Sequence, residues 1–146
     1  VVEYKKGMKV IAQNKSHILI RFDIGDEVIS LLREFCVKEN IRSGVVSAIG
    51  ACRKVELGFY HLSEKKYSRQ LFEGEFEILG VQGNISWADS DVVIHAHGSF
   101  GKKDFSVIGG HIFNLEASPT CELALQIYPN DFKRAYNDKV GLKLLD

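Results

Sequence analysis

Apolar and polar positions alternate along this chain at two different periods. From Glu27 to Glu39, Val28, Leu31, Leu32, Phe35 and Cys36 recur at helical spacing, and Glu27, Arg33, Glu34, Lys38 and Glu39 face away. That is the stripe of an amphipathic helix, with Asp26, directly after Gly25, as the N-cap the sequence offers. Elsewhere the period is two. Ile18, Ile20 and Phe22 alternate with His17, Leu19 and Arg21, and Val55, Leu57 and Phe59 alternate with Lys54, Glu56 and Gly58, as in strands buried on one face.

Further strands are predicted at Met8 to Gln13, Ser43 to Gly50, Phe76 to Ser86, Val92 to Phe100, Phe105 to His111 and Cys121 to Tyr128. Gly, Asn, Asp, Ser and Lys punctuate the gaps between them. The two prolines, Pro119 and Pro129, fall at proposed strand edges. The tail from Phe132 to Asp146 reads as a short turn plus a last strand. One helix against many strands, without regular βα alternation, predicts an α+β fold with a largely antiparallel sheet. A chain of 146 residues fits a single domain, 1–146, and no repeat or low-complexity segment divides it.

Composition narrows the function classes. Hydrophobic residues make up 45% and charged residues 26%, the balance of a globular chain and not of a disordered one. The 19 Lys plus Arg offset the 19 Asp plus Glu, so no excess positive field exists to hold a phosphate backbone, and generic nucleic-acid binding is disfavoured. Cys36, Cys52 and Cys121 are odd in number and widely spaced, which predicts reduced thiols and a cytoplasmic setting in place of a disulfide framework or cysteine zinc knuckle. No apolar run is long enough to span a bilayer, and Val1 to Lys6 carries no signal-peptide core.

The chemistry concentrates in histidine. In His95-Ala96-His97, strand alternation sends both imidazoles to one face, about 7 Å apart along the chain, while Ile94 and Ala96 point the other way. Two histidines on the solvated face of a strand need be nothing more than polar surface, so the third matters. Gly101 to Asp104 reads as a hairpin turn that folds Phe105 to His111 back beside the H-x-H strand. With a loop of those four residues alone, His111 opposes Ile94 and lies on the wrong face. An odd loop or a bulge restores it, and a shift of one residue sets His111 opposite His95 and Gly109 opposite His97, with Gly109-Gly110 as the place where a bulge is sterically easy.

Three neutral imidazoles are a common zinc ligand set whose fourth position is left open to water or substrate. His95, His97 and His111 are therefore the expected metal ligands, with Zn2+ the expected divalent ion. No general base is assigned: Glu122 lies on a nearby candidate strand, but alternation alone does not give its face relative to the histidines. His17 and His61 stand alone on strands and receive no role. Gly109-Gly110 matches neither a Walker A nor a dinucleotide pattern, and no Ser sits in a G-x-S-x-G elbow. Trp87 and Tyr60 are read as core or interface residues.

Taken in order, Gly74-Glu75-Phe76-Glu77-Ile78-Leu79, Gly83-Asn84-Ile85, His95-Ala96-His97, Gly109-Gly110-His111 and Cys121-Glu122-Leu123 resemble successive signatures of the plant- and prokaryote-conserved (PPC) domain family. Gly25-Asp26 before the helix and Ala48-Ile49-Gly50-Ala51 after the next strand extend the resemblance over nearly the whole chain. It implies a compact α+β domain assembling as a homotrimer, of the prokaryotic stand-alone branch whose members are often labelled DNA-binding by association. Plant relatives carry an AT-hook, an Arg-Gly-Arg segment absent from this chain, and a G-R-F-E-I-L segment linked to partner contacts in which Glu75 here replaces the Arg. The expected function is a zinc-binding homotrimer, with activated water acting on a small-molecule substrate as one use of the metal. The competing expectations are a non-enzymatic assembly or regulatory module with a structural metal, and a DNA-associated regulator.

Overall fold

Period-two stretches extend further than their punctuation suggests, because glycines and bulges bend strands here without ending them. The computed structural model describes residues 2–3 and 7–146, so most of Val1 to Lys6, read above for a leader, lies outside the described residues. Among the described residues nine strands and one helix follow in the order β1 (Val2–Glu3), β2 (Lys9–Gln13), β3 (His17–Asp23), α1 (Val28–Lys38), β4 (Gly44–His61), β5 (Lys66–Ala88), β6 (Asp91–Gly101), β7 (Val107–Ile127), β8 (Arg134–Asn137) and β9 (Leu142–Leu145). The fold is mostly antiparallel sheet with a single short helix, consistent with α+β. Among the described residues no helix is long and apolar enough to cross a membrane.

The predicted strands Ser43 to Gly50 and Val55 to Phe59 are one strand, β4. Likewise, Phe105 to His111 and Cys121 to Tyr128 are the two ends of β7. Continuity survives because each irregularity is absorbed as a register shift: β4 shifts against β7 between Gly50 and Cys52, opposite the stretch that holds Pro119. That proline lies inside β7 and not at its edge, and the shift is where a missing N–H does least harm to the ladder. Gly50, at φ +143°, makes the approach possible, since a Cβ there would lie 2.2 Å from the Thr120 carbonyl oxygen.

The main sheet runs β1-β2-β3-β7-β4-β5-β6, and β6 pairs again with β7, so the last four strands close on themselves. α1 packs Val28, Leu32, Phe35 and Cys36 into a core shared with Ile20, Phe22, Val55, Ile85, Phe100 and Leu115. Its cap is Glu27 and not Asp26. The Glu27 carboxylate accepts from Ser30 N at 2.7 Å and Ile29 N at 3.3 Å, and also from Leu115 N at 2.8 Å, tying the helix start to β7. Asp26 instead accepts from Asp23 N at 2.8 Å and shapes the preceding turn. The tail is a β8-β9 hairpin, two strands in place of the single one expected. All three cysteines are free and buried, and burial pushes each thiol up to about 12, far from the thiolate that would react.

Candidate metal centre

Alternation on β6 turns Val92, Ala96 and Phe100 into the core and leaves His95 and His97 on the outer face. Register fixes what stands beside them. The hairpin from β6 to β7 pairs Gly101 with Val107, leaving 102–106 as an odd-length loop closed by Lys102 N to Ser106 O at 2.8 Å. His111 therefore opposes His97, not His95, and Gly109 opposes Ser99, not His97. The expected shift had the right parity and the wrong length, and parity alone decides the face. The β7 bulge lies further along, against β4, where Glu56 pairs with Asn114 and Leu57 with Ile112; Gly109-Gly110 stays in register.

The three imidazoles converge: each offers a nitrogen within 4.8 Å of the other two. His95 Nε2 and His97 Nε2 lie 3.2 Å apart, close to the roughly 3.3 Å that separates two nitrogens bound tetrahedrally at about 2.0–2.1 Å. Ring centroids stand 5.1 to 5.5 Å from one another. His111 Nδ1 is buried without a hydrogen-bond partner, a ring nitrogen left unsatisfied within the cluster. Residue types and geometry fit a metal ion.

The surroundings are crowded on one side and open on the other. Tyr67 and Phe113 pack on the His111 ring at 4.9 and 4.7 Å between centroids, and Arg69 lies 3.8 Å over the Phe113 ring. Gly58 pairs with His111 from β4, and a Cβ at Gly58 would come within 2.4 Å of Phe113 Cε2. His97 is exposed, which leaves an approach from solvent. Desolvation first, then the neighbouring His95, His97 and Arg69, lowers His111 to about 4. His95 is lowered mainly by burial, with Arg134 and His97 adding to it. Both rings are thereby held neutral at pH 7, the form that coordinates metal.

Sequence reasoning found the three histidines and missed their neighbours. Arg134, on β8, reaches across β5 and β6 to donate through Nε to Ser86 Oγ at 2.6 Å and through Nη2 to Asn84 Oδ1 at 2.8 Å. The same Nη2 lies 3.4 Å from His95 Nδ1. Nothing in the tail's pattern points there, although the Asn84 to His95 pairing would follow from knowing the β5-β6 register. Glu122 is exposed on the far end of β7, opposite Arg21 and Ile49, and stands apart from the cluster. His17 and His61 are outside it too; each hydrogen-bonds a serine, Ser16 and Ser68, at 3.0 Å.

The fold is long-stranded and antiparallel, and its outer face carries three convergent imidazoles, a donor set that could hold a metal ion. The family model described as the Plants and Prokaryotes Conserved (PCC) domain matches residues 10–129, and the chain belongs to this family, the one its motifs resemble. Among solved structures it is similar to a protein from Bacteroides thetaiotaomicron provisionally described as DNA-binding, at 27% identity and TM-score 0.89, covering 92% of this chain and 94% of that one. A metal-containing protein from Archaeoglobus fulgidus is 30% identical, with TM-score 0.83 and coverage of 98% and 99%. A plant- and prokaryote-conserved protein from Pyrococcus horikoshii shares the fold at 24% identity and TM-score 0.82, over 99% of this chain and 97% of that one. No protein of curated function matches the chain.

Proposed function

We propose that this chain is a zinc-binding protein whose ion is held by His95, His97 and His111, and that it works as a homotrimer. The observation that carries the metal reading is the meeting of three imidazole nitrogens within 4.8 Å on paired strands. The metal-containing relative from Archaeoglobus fulgidus supports it at 30% identity. Three protein ligands leave a coordination position open, and a zinc ion there would supply Lewis-acid chemistry, polarising a carbonyl or lowering the pKa of water near neutrality. The chain's own part is to keep the rings neutral by burial, fix their spacing through the β6-β7 register and leave the His97 side open to a small-molecule substrate. Elemental analysis of purified protein tests this. One zinc per chain, lost on chelation and lost in His97→Ala, is expected; full stoichiometry in His97→Ala refutes it.

The trimer reading rests on the outer sheet face, where Leu19 and Val45 stand exposed around a groove of 620 Å³ that also takes in Ala124 and Gln82. Strand register places this groove on the same face as His95 and His97, so a neighbouring subunit would border the site. Light scattering should give three chains per particle at micromolar concentration, and a monomer would refute it.

A DNA-associated role has the provisional descriptions of two relatives behind it and the charge balance of 19 against 19 opposing it. Binding to a chosen duplex should therefore be weak and abolished by moderate salt. Tight, salt-resistant binding would favour that role.

A further inference from the structure

Among the described residues, Arg134 is a cation without a carboxylate. Its contacts are Ser86 Oγ at 2.6 Å, Asn84 Oδ1 at 2.8 Å, the Lys143 carbonyl at 2.9 Å and His95 Nδ1 at 3.4 Å, all neutral acceptors. Ser86 beneath it is fully buried, and the guanidinium is part-buried, so water screens its charge incompletely. The neighbouring cation, Arg69, is paired through its fork with Glu56 at 2.8 and 2.9 Å. Arg134 has no such partner among the described residues.

A partly buried, unpaired guanidinium is costly unless something anionic meets it. The metal reading sharpens this. A divalent ion held by three neutral rings brings no negative ligand, so two centres of positive charge would lie on either side of the His95 ring. A ring that ligates through Nε2 carries its proton on Nδ1, so it no longer accepts from Arg134 and one N–H of that guanidinium is released.

We propose that Arg134 makes the histidine cluster a receptor for a small carboxylate, which sets one carboxylate oxygen against this guanidinium while the other reaches the open position of the ion. The inference rests on the metal reading above. A carboxylate suits the site better than a phosphate does. Four neutral contacts already occupy most of Arg134's N–H donors, and a group with three acceptor oxygens and a larger charge would ask for more than remain. Arg134 acts here as a specificity-determining residue, and Asn84 and Ser86 hold its fork in place.

The test is calorimetric titration of zinc-loaded protein with acetate and succinate, with neutral acetamide and inorganic phosphate as the other arms. Zinc content is measured on every sample, and cobalt-loaded protein gives a visible spectrum that reports ligands reaching the ion. The expected result is binding of the carboxylates, no binding of acetamide, weaker binding of phosphate, and a carboxylate-dependent change in the cobalt spectrum. Arg134→Met should weaken the carboxylates about tenfold or more at unchanged zinc content, and Arg134→Lys, which keeps the charge and guards against a folding defect, should recover part of that loss. Equal carboxylate affinity in Arg134→Met at full zinc content overturns the inference and leaves the metal reading standing. Phosphate binding tighter than acetate also overturns the carboxylate assignment. Absence of zinc from the wild-type protein overturns both readings.

Discussion

His17 and His95 occupy the same cross-strand row of the same sheet face, His17-Gln126-Val45-Asn84-His95, and have different surroundings. Four strand spacings, about 19 Å along the sheet, separate them. His17 is exposed at a strand end and finds a hydrogen bond one residue away, at Ser16. His95 is half-buried, faces two other imidazoles and has an arginine behind it. Residue type, cross-strand row and face are thus common to both. What makes a site is the closure that brings β7 back against β6, because it adds a second histidine-bearing strand where β3 has only β2 and the far end of β7 as neighbours.

The largest effect expected from breaking this contrast is on metal content. His97→Ala should weaken zinc binding by more than the roughly 10- to 100-fold that loss of an outer-shell partner costs, and His17→Ala should leave it unchanged. Equilibrium dialysis against a chromogenic chelator reads both. Next in size is Gly58→Val: the new side chain meets Phe113 Cε2 and Tyr67, so urea denaturation should show a loss of about 1–3 kcal/mol together with reduced zinc affinity. Glu27→Ala, at the far side of the core, should cost about 1–2 kcal/mol by releasing the N–H groups of Ser30, Ile29 and Leu115. Its zinc content should be normal, which separates general stability from the site.

The smallest effect is a pH dependence that arises in the histidine cluster. His111 titrates at about 4 in the folded protein and near 6.5 in the unfolded chain, so between these values the unfolded state binds more protons. Metal-free protein should therefore lose stability as pH falls from about 6.5 to about 4, with His95, lowered in the same direction, adding to the slope. Above about 6.5 both states are neutral and the dependence vanishes. His111→Phe should flatten the slope of the urea midpoint over that window.

Much of the fold was legible because burial follows period two: Ile18, Ile20, Phe22, Val55 and Leu57 all lie in the core the alternation assigns them. The helix was legible to within a residue at each end, and its cap was not. Asp26 and Glu27 are both acidic neighbours of the first turn, and only the tertiary partner Leu115 distinguishes their roles. Strand continuity was illegible for a related reason: Gly50 and Pro119 look like breaks in isolation and are accommodated together as one register shift. At the site, parity put the three histidines on one face, while the identity of the facing residue depended on a loop whose length the sequence does not declare. Arg134 was out of reach altogether, since it arrives from a hairpin outside the main sheet.

Closure of the sheet also bears on how the site can open. β6 is hydrogen-bonded on one side to β5 from Glu77 to Ala88 and on the other to β7 from Val107 to His111, so its end nearest the hairpin loop has no free edge. Releasing His97 from His111 means unzipping ladders anchored on both flanks, an excursion that approaches global unfolding in free energy. Backbone amides around Gly98 and Phe100 should accordingly be among the slowest to exchange with solvent deuterium. Loading and unloading of an ion would then proceed by rotation of the exposed His97 imidazole over a backbone that stays shut.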